Sequence, residues 1–288
     1  MAPSSEPQTP ASNARSHPIV FCFDTIDYIF SFLKYDSKSL LACSEAHPSF
    51  TPIVERHLYY YIIISASSRF RSDSHGYCLQ PSHLSKVLSD TPRIANHVRV
   101  LQIAFGEDYD DSSDDDSEPS GEEDAPENDD PTMFPALETF LFMSGYSFGW
   151  QEMPQNLKTV VEGFLRLPTL HSVHINAREF PLSILDNNPN IECLSLSGSP
   201  EIPDGPDDAN AYLQLKSLII KDLHHRHFYA SFWNWAKRRI FKLQSLQCDY
   251  SNENSFLEAL EICSGTLNDL DLKISSPCKA SSLFSGRN

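Results

Sequence analysis

Residues 170–196 read "LHSVHINAREFPLSILDNNPNIECLSL" and hold one pattern twice: apolar-x-x-apolar-x-apolar, first as "LHSVHI" and then, 21 residues on, as "IECLSL". The alternation in the last four positions is that of a strand with one buried face. Toward the N-terminus the pattern recurs as "LETFLF" (137–142) and "VRVLQI" (98–103). Toward the C-terminus it recurs as "LKSLII" (215–220), "LQSLQC" (243–248) and "LNDLDL" (267–272). Successive copies start 39, 33, 21, 24, 28 and 24 residues apart. Self-similarity at a spacing of roughly 20–50 residues marks a repeat architecture. Helical stretches lie between copies: "LKTVVEGFL" sets Leu157, Val160, Val161, Phe164 and Leu165 on one face, and "FYASFWNWAKRRI" and "SFLEALEIC" read likewise. Strand alternating with helix at this period predicts an α/β solenoid of parallel strands with helices outside.

The bulk composition fits a folded chain. Of 288 residues, 40% are hydrophobic, enough for a core. The net charge of −17 is local: residues 107–130 hold 14 acidic residues and no Lys or Arg, and the remainder balances 25 acidic against 22 basic. This composition predicts a disordered insertion at 107–131 in the first long interval, and it shows no basic patch that would call for nucleic acid. No apolar run approaches the ~20 residues that cross a bilayer. Seven scattered cysteines without a C-x-x-C predict reduced thiols and a cytoplasmic or nuclear setting. Residues 1–18, rich in Pro and Ser, read as a disordered leader, and 275–288 as a flexible tail.

Ahead of the repeats stands "IDYIFSFLKYDSKSLLACSEAHPSF" (26–50). Ile26, Ile29, Phe30 and Leu33 recur at i, i+3, i+4, i+7, a helical stripe. Asp36 is placed to cap a second helix through Leu40, Leu41 and Cys43. A third, with Pro52 in its first turn, carries Ile53, Val54, His57 and Leu58. Three short helices in about 37 residues have too little core to stand alone. The organisation predicted is therefore a helical module at 19–65 and a solenoid at 66–274.

The two parts together resemble F-box proteins with irregular leucine-rich repeats, of the kind abundant in fungi. "IDYIFSFL" matches the family's first helix in register, Asp24 its acidic position, "SLLACSEAHPSF" its second helix and exit, and "RHLYYYIII" its passage into the following strand. Phe21 and Cys22 stand at the usual Leu-Pro pair, and Thr25 where an apolar residue is usual. The Asn or Cys usual after each repeat strand is replaced by Gly106, Gly145, Arg178, Ser199, Leu223, Ser251 and Ser275. The resemblance implies a substrate-recognition subunit of a cullin-RING (SCF-type) ubiquitin ligase. Its F-box would dock on a Skp-type adaptor and hence the cullin, and its solenoid would hold an unidentified protein target. It implies adaptor contacts from Phe21, Cys22, Ile26, Ile29, Phe30, Leu33 and Leu40. The alternative is a protein-binding scaffold whose module no longer engages the adaptor.

For the repeats, the third and fifth template positions fall on the concave side: Val100/Gln102, Thr139/Leu141, Ser172/His174, Cys193/Ser195, Ser217/Ile219, Ser245/Gln247 and Asp269/Asp271. From this row Gln102, Thr139, Ser172, His174, Ser195, Ser217, Gln247, Asp269 and Asp271 are candidate target contacts, against the plainer reading of a solvated face. In the acidic run Ser112, Ser113 and Ser120 each precede an acid by three residues, a spacing that suits an acid-directed kinase. "HHRHF" (224–228) lacks the i, i+4 spacing of two metal ligands on a helix, so no metal and no cofactor is expected. "SFWNWAKRRIFKL" (231–243) reads as a core helix with a basic side, with a membrane or acidic partner as the rival reading. No G-x-S-x-G, glycine-rich phosphate loop or H-E-x-x-H is present, so no enzyme is expected.

Overall fold

The computed structural model describes residues 22–34, 36–65, 77–105, 133–145, 148–202, 213–221, 226–249 and 254–273. The predicted leader, tail and acidic insertion lie outside these residues, as do Phe21, Ser112, Ser113, Ser120, His224 and His225.

All seven template copies become strands, each starting at the third template position: β3 (Val100–Phe105), β4 (Thr139–Ser144), β5 (Ser172–Asn176), β6 (Cys193–Ser197), β7 (Ser217–Lys221), β8 (Ser245–Asp249) and β9 (Asp269–Lys273). Two further strands, β1 (Tyr61–Ser65) and β2 (Tyr77–Leu79), complete a nine-stranded parallel sheet of order β2-β1-β3-β4-β5-β6-β7-β8-β9. The sheet therefore begins inside the segment read as the N-terminal module. The chain passes from β1 outward to β2 and then returns across β1 to β3, a reversal with no template copy to announce it.

Register is uniform. Leu101, Phe140, Val173, Leu194, Leu218, Leu246 and Leu270 stand side by side, as do Ile103, Phe142, Ile175, Leu196 and Ile220, and then Cys248 and Leu272. All but Leu270 and Leu272 are buried. A backbone device repeats with them. In each step the carbonyl of the residue before a strand accepts two successive N–H groups of the next repeat: Tyr60 from Arg99 and Val100, Arg99 from Glu138 and Thr139, Glu138 from His171 and Ser172, and so on to Gln244 from Asn268 and Asp269.

The returns between strands are uneven. α4 (Pro81–Asp90), α5 (Gln155–Leu165), α6 (Arg226–Ala236) and α7 (Asn254–Cys263) are helices, whereas β5 and β6 are joined through a 3-10 segment, Leu182–Asn187. All five predicted core positions of α5 are buried. Trp233 and Trp235 are buried in α6, as a core helix requires, so its rings are not presented to a membrane; the helix ends at Ala236, however, so the basic residues from 237 on lie past it, and Arg239 is buried rather than solvated. No helix among the described residues is long and apolar enough to cross a bilayer.

Polar groups stitch neighbouring returns together. Buried Asn188 donates to the carbonyls of Leu165 and Leu167 at 3.0 and 2.8 Å. Arg239, 1% exposed, meets Asp186 with two parallel hydrogen bonds of 2.8 Å and stacks 4.4 Å over the Trp235 ring. After β6, Gly198 adopts φ +88°, and a Cβ there would come within 2.9 Å of the Ala177 carbonyl, so no other residue fits. Removing one partner of a buried ion pair strands the other charge. Asp186→Ala is therefore expected to lower the unfolding free energy by about 3–5 kcal/mol, read as a shifted urea midpoint. Arg239→Met should cost less, because the carboxylate it leaves behind, Asp186, is 16% exposed and can reach water, whereas Arg239 is 1% exposed.

Candidate protein-docking surfaces

The N-terminal module is three helices: α1 (Phe23–Ser31), α2 (Ser37–Ala46) and α3 (Thr51–Leu58). Asp36 caps α2 as expected, its carboxylate accepting from the Ser39 N–H at 3.1 Å and hydroxyl at 2.6 Å. The Ser39 hydroxyl holds the Asp36 carboxyl below its ordinary pKa. Asp27 of α1 accepts from Arg56 and His57 of α3 at 2.5 and 2.8 Å, which fixes the angle of the first helix on the third. The module's core is Phe30, Leu40, Ile53, Val54 and Leu58, with Ile26, Leu33, Cys43, Phe50 and Tyr59 packed at its margin.

This core consumes part of the predicted adaptor face. Phe30 is 6% and Leu40 0% exposed, so neither presents a surface to a partner: both hold the module together. Ile26 and Leu33 are half-buried at the core margin, while Cys22 and Ile29 are exposed. What the stripe analysis missed is a second row on α1. Tyr28 and Phe32 are 66% and 70% exposed, with their rings edge to face at 5.0 Å, and Phe23 and, on α2, Leu41 are also exposed. The signal was present in the sequence, because "FDTIDYIFSFL" is apolar nearly all round, more than three short helices can bury. An exposed apolar row of this kind is a candidate interaction surface.

The module is joined to the sheet by two residues, Tyr59 and Tyr60. Tyr59 packs against both cores. Arg93, in the turn after α4, donates to Glu55 of α3 at 2.7 Å.

The second surface is the sheet face turned away from the main core. Its exposure is graded. At the β1–β3 end Ile63, Ser65, Gln102 and Ala104 are buried. Gln102 accepts from the Tyr61 hydroxyl and donates to the Met143 sulfur at 3.1 Å, so this candidate contact is not available to a target. Thr139, Ser172, His174, Ser195, Ser217 and Gln247 are half-buried along one face, and Asp269 and Asp271 are exposed at its end. Ser245 donates to Asp269 at 3.3 Å and Gln247 to Asp271 at 3.0 Å. The Ser172 hydroxyl lies 3.3 Å from His174 Nε2. Among the described residues no carboxylate contacts that imidazole, so the pair lacks the group that would orient a base. No set of three His, Cys, Asp or Glu among the described residues is placed to hold a metal.

Burial, and secondarily the Lys221 charge, hold the His174 pKa below its ordinary 6.5. The unfolded chain then takes up this proton first as the pH falls. Stability is full above about pH 6.5 and declines as the pH drops through the window below it. His174→Gln should flatten part of the loss in urea midpoint between pH 7.5 and 5, the rest belonging to groups such as His97, which burial shifts the same way. In the module, Phe32→Ser should change stability by no more than about 0.5 kcal/mol, whereas Leu40→Ala should cost about 2–5 kcal/mol.

No family model matches the chain, and no curated protein matches its sequence.

Proposed function

We propose that this chain is the substrate-recognition subunit of a cullin-RING (SCF-type) ubiquitin ligase. Its three-helix module acts as an F-box that docks on a Skp-type adaptor, and its sheet acts as a leucine-rich-repeat-like surface that binds a target protein. The observation that carries the reading is the pairing of two parts. A small helical module leaves Phe23, Tyr28, Ile29 and Phe32 exposed, and it is joined through two residues to a repeat sheet with a long, half-exposed polar face. The chain does no chemistry in this reading. It raises the effective concentration of the target beside the ligase. The target footprint runs over Thr139, Ser172, His174, Ser195, Ser217, Gln247, Asp269 and Asp271, and Gln102 drops out because it is buried.

The second reading is a protein-binding scaffold without an adaptor. Cys22 and Thr25, both exposed at the start of the first helix, favour it, since they replace the Pro and the apolar residue of the F-box pattern.

Co-purification with the adaptor separates the two. Deleting the N-terminal module as far as residue 66 would also remove β1 from the sheet, so point changes serve better. The expected result is stoichiometric capture by the full chain, lost in Tyr28→Asp/Phe32→Asp while the urea midpoint is kept. A folded wild-type chain that captures no adaptor would transfer the assignment to the scaffold reading.

A further inference from the structure

The sheet ends differently from how it runs. In six template copies the fourth and sixth residues are buried, but in the last Leu270 is 45% exposed and Leu272 only partly covered. On α7, Phe256, Ala259 and Cys263 face the core, and Glu258 reaches back to Lys237, just past α6. Leu257, 100° round the helix from Glu258, is 48% exposed. Among the described residues β9 pairs only with β8, and none of them pairs with its outer edge. A repeat array needs a polar cap at such an end. The described residues offer leucine there.

We propose that this end is an interface between two copies of the chain, with β9 running antiparallel to the partner's β9 about a two-fold axis normal to the sheet. The strand reads Asp-Leu-Asp-Leu-Lys, with charges on one face and leucines on the other. Antiparallel pairing sets opposed side chains on the same face. Of the registers that keep leucine against leucine, the one centred on Leu272 places Lys273 opposite the partner's Asp271 twice over by symmetry, and the one centred on Asp271 places Lys273 opposite the partner's Asp269 twice at the cost of a single Asp271 pair on the axis. Parallel pairing of the same strand in register would set each aspartate against its own copy. Ser245 and Gln247 each hold one oxygen of Asp269 and Asp271, leaving the other oxygen of each carboxylate for the incoming lysine. An axis normal to the sheet keeps the helices of both copies on one side. Leu257 beside the partner's Leu257 then closes over the paired Leu270 and Leu272. The result is an isologous interface that joins two nine-stranded sheets into one.

The test is the mass of the full chain by sedimentation equilibrium, and it involves no adaptor. The expected result is a concentration-dependent dimer. Lys273→Glu should weaken it about tenfold or more, since two symmetric cross-strand pairs turn repulsive. The triple change Asp269→Lys/Asp271→Lys/Lys273→Glu restores opposite charges and should restore the dimer. A chain that stays monomeric up to about 100 µM overturns the proposal. If in that monomer the amides of β9 also resist hydrogen exchange, residues 274–288 cover the edge instead. A dimer indifferent to Lys273→Glu overturns it as well, by placing the contact elsewhere.

Discussion

The structure depends on two rows of apolar side chains laid across the sheet, one through Leu101 to Leu246 and one through Ile103 to Cys248. A one-residue slip of any strand would turn its whole apolar set to the other face, so each repeat dictates the register of the next. Everything else can vary around that constraint, and does. The described returns are helical or 3-10, the spacing of repeats ranges from 21 to 39 residues, and the interval after β3 accepts the acidic run.

Because the rows demand only apolar residues at two strand positions, the strands were legible and the rest was less so. The template found β3 to β9, and i, i+3, i+4 spacing found α5 with all five of its buried residues. The reversal that places β2 outside β1 was not legible: "YCL" is too short for period-two alternation to register, and topology at a sheet edge leaves no mark in composition. Nor was the division of labour within the first helix. Ile26, Ile29, Phe30 and Leu33 share a stripe, yet only Phe30 is buried, because the angle of α1 on α3 is set by Asp27 meeting Arg56 and His57, contacts about 30 residues away in sequence. Burial at Gln102 was hidden for a similar reason. The strand pattern gives its face but not its neighbours, Tyr61 and Met143, which lie 41 residues to either side.

The buried Arg239–Asp186 pair has no place in the template, and it illustrates how an irregular array is held. A regular repeat protein satisfies the backbone of each return with the same side chain in every unit. Here one Asn188 and one Arg239 serve single junctions, each tailored to the shape of the return beside it. Irregular returns thus require individual polar anchors, which a search for periodicity is bound to pass over.

The carbonyl ladder begins at Tyr60, two residues past the last turn of α3. Its first rung is therefore part of the helical module's own exit, while its second belongs to the sheet. Turning the module on the sheet would pull the Tyr60 carbonyl from both Arg99 and Val100 and at the same time drag Tyr59 out of two cores. The junction is thus tied by backbone and side chain at once, and rotation of the module against the sheet has to break both ties before it can begin.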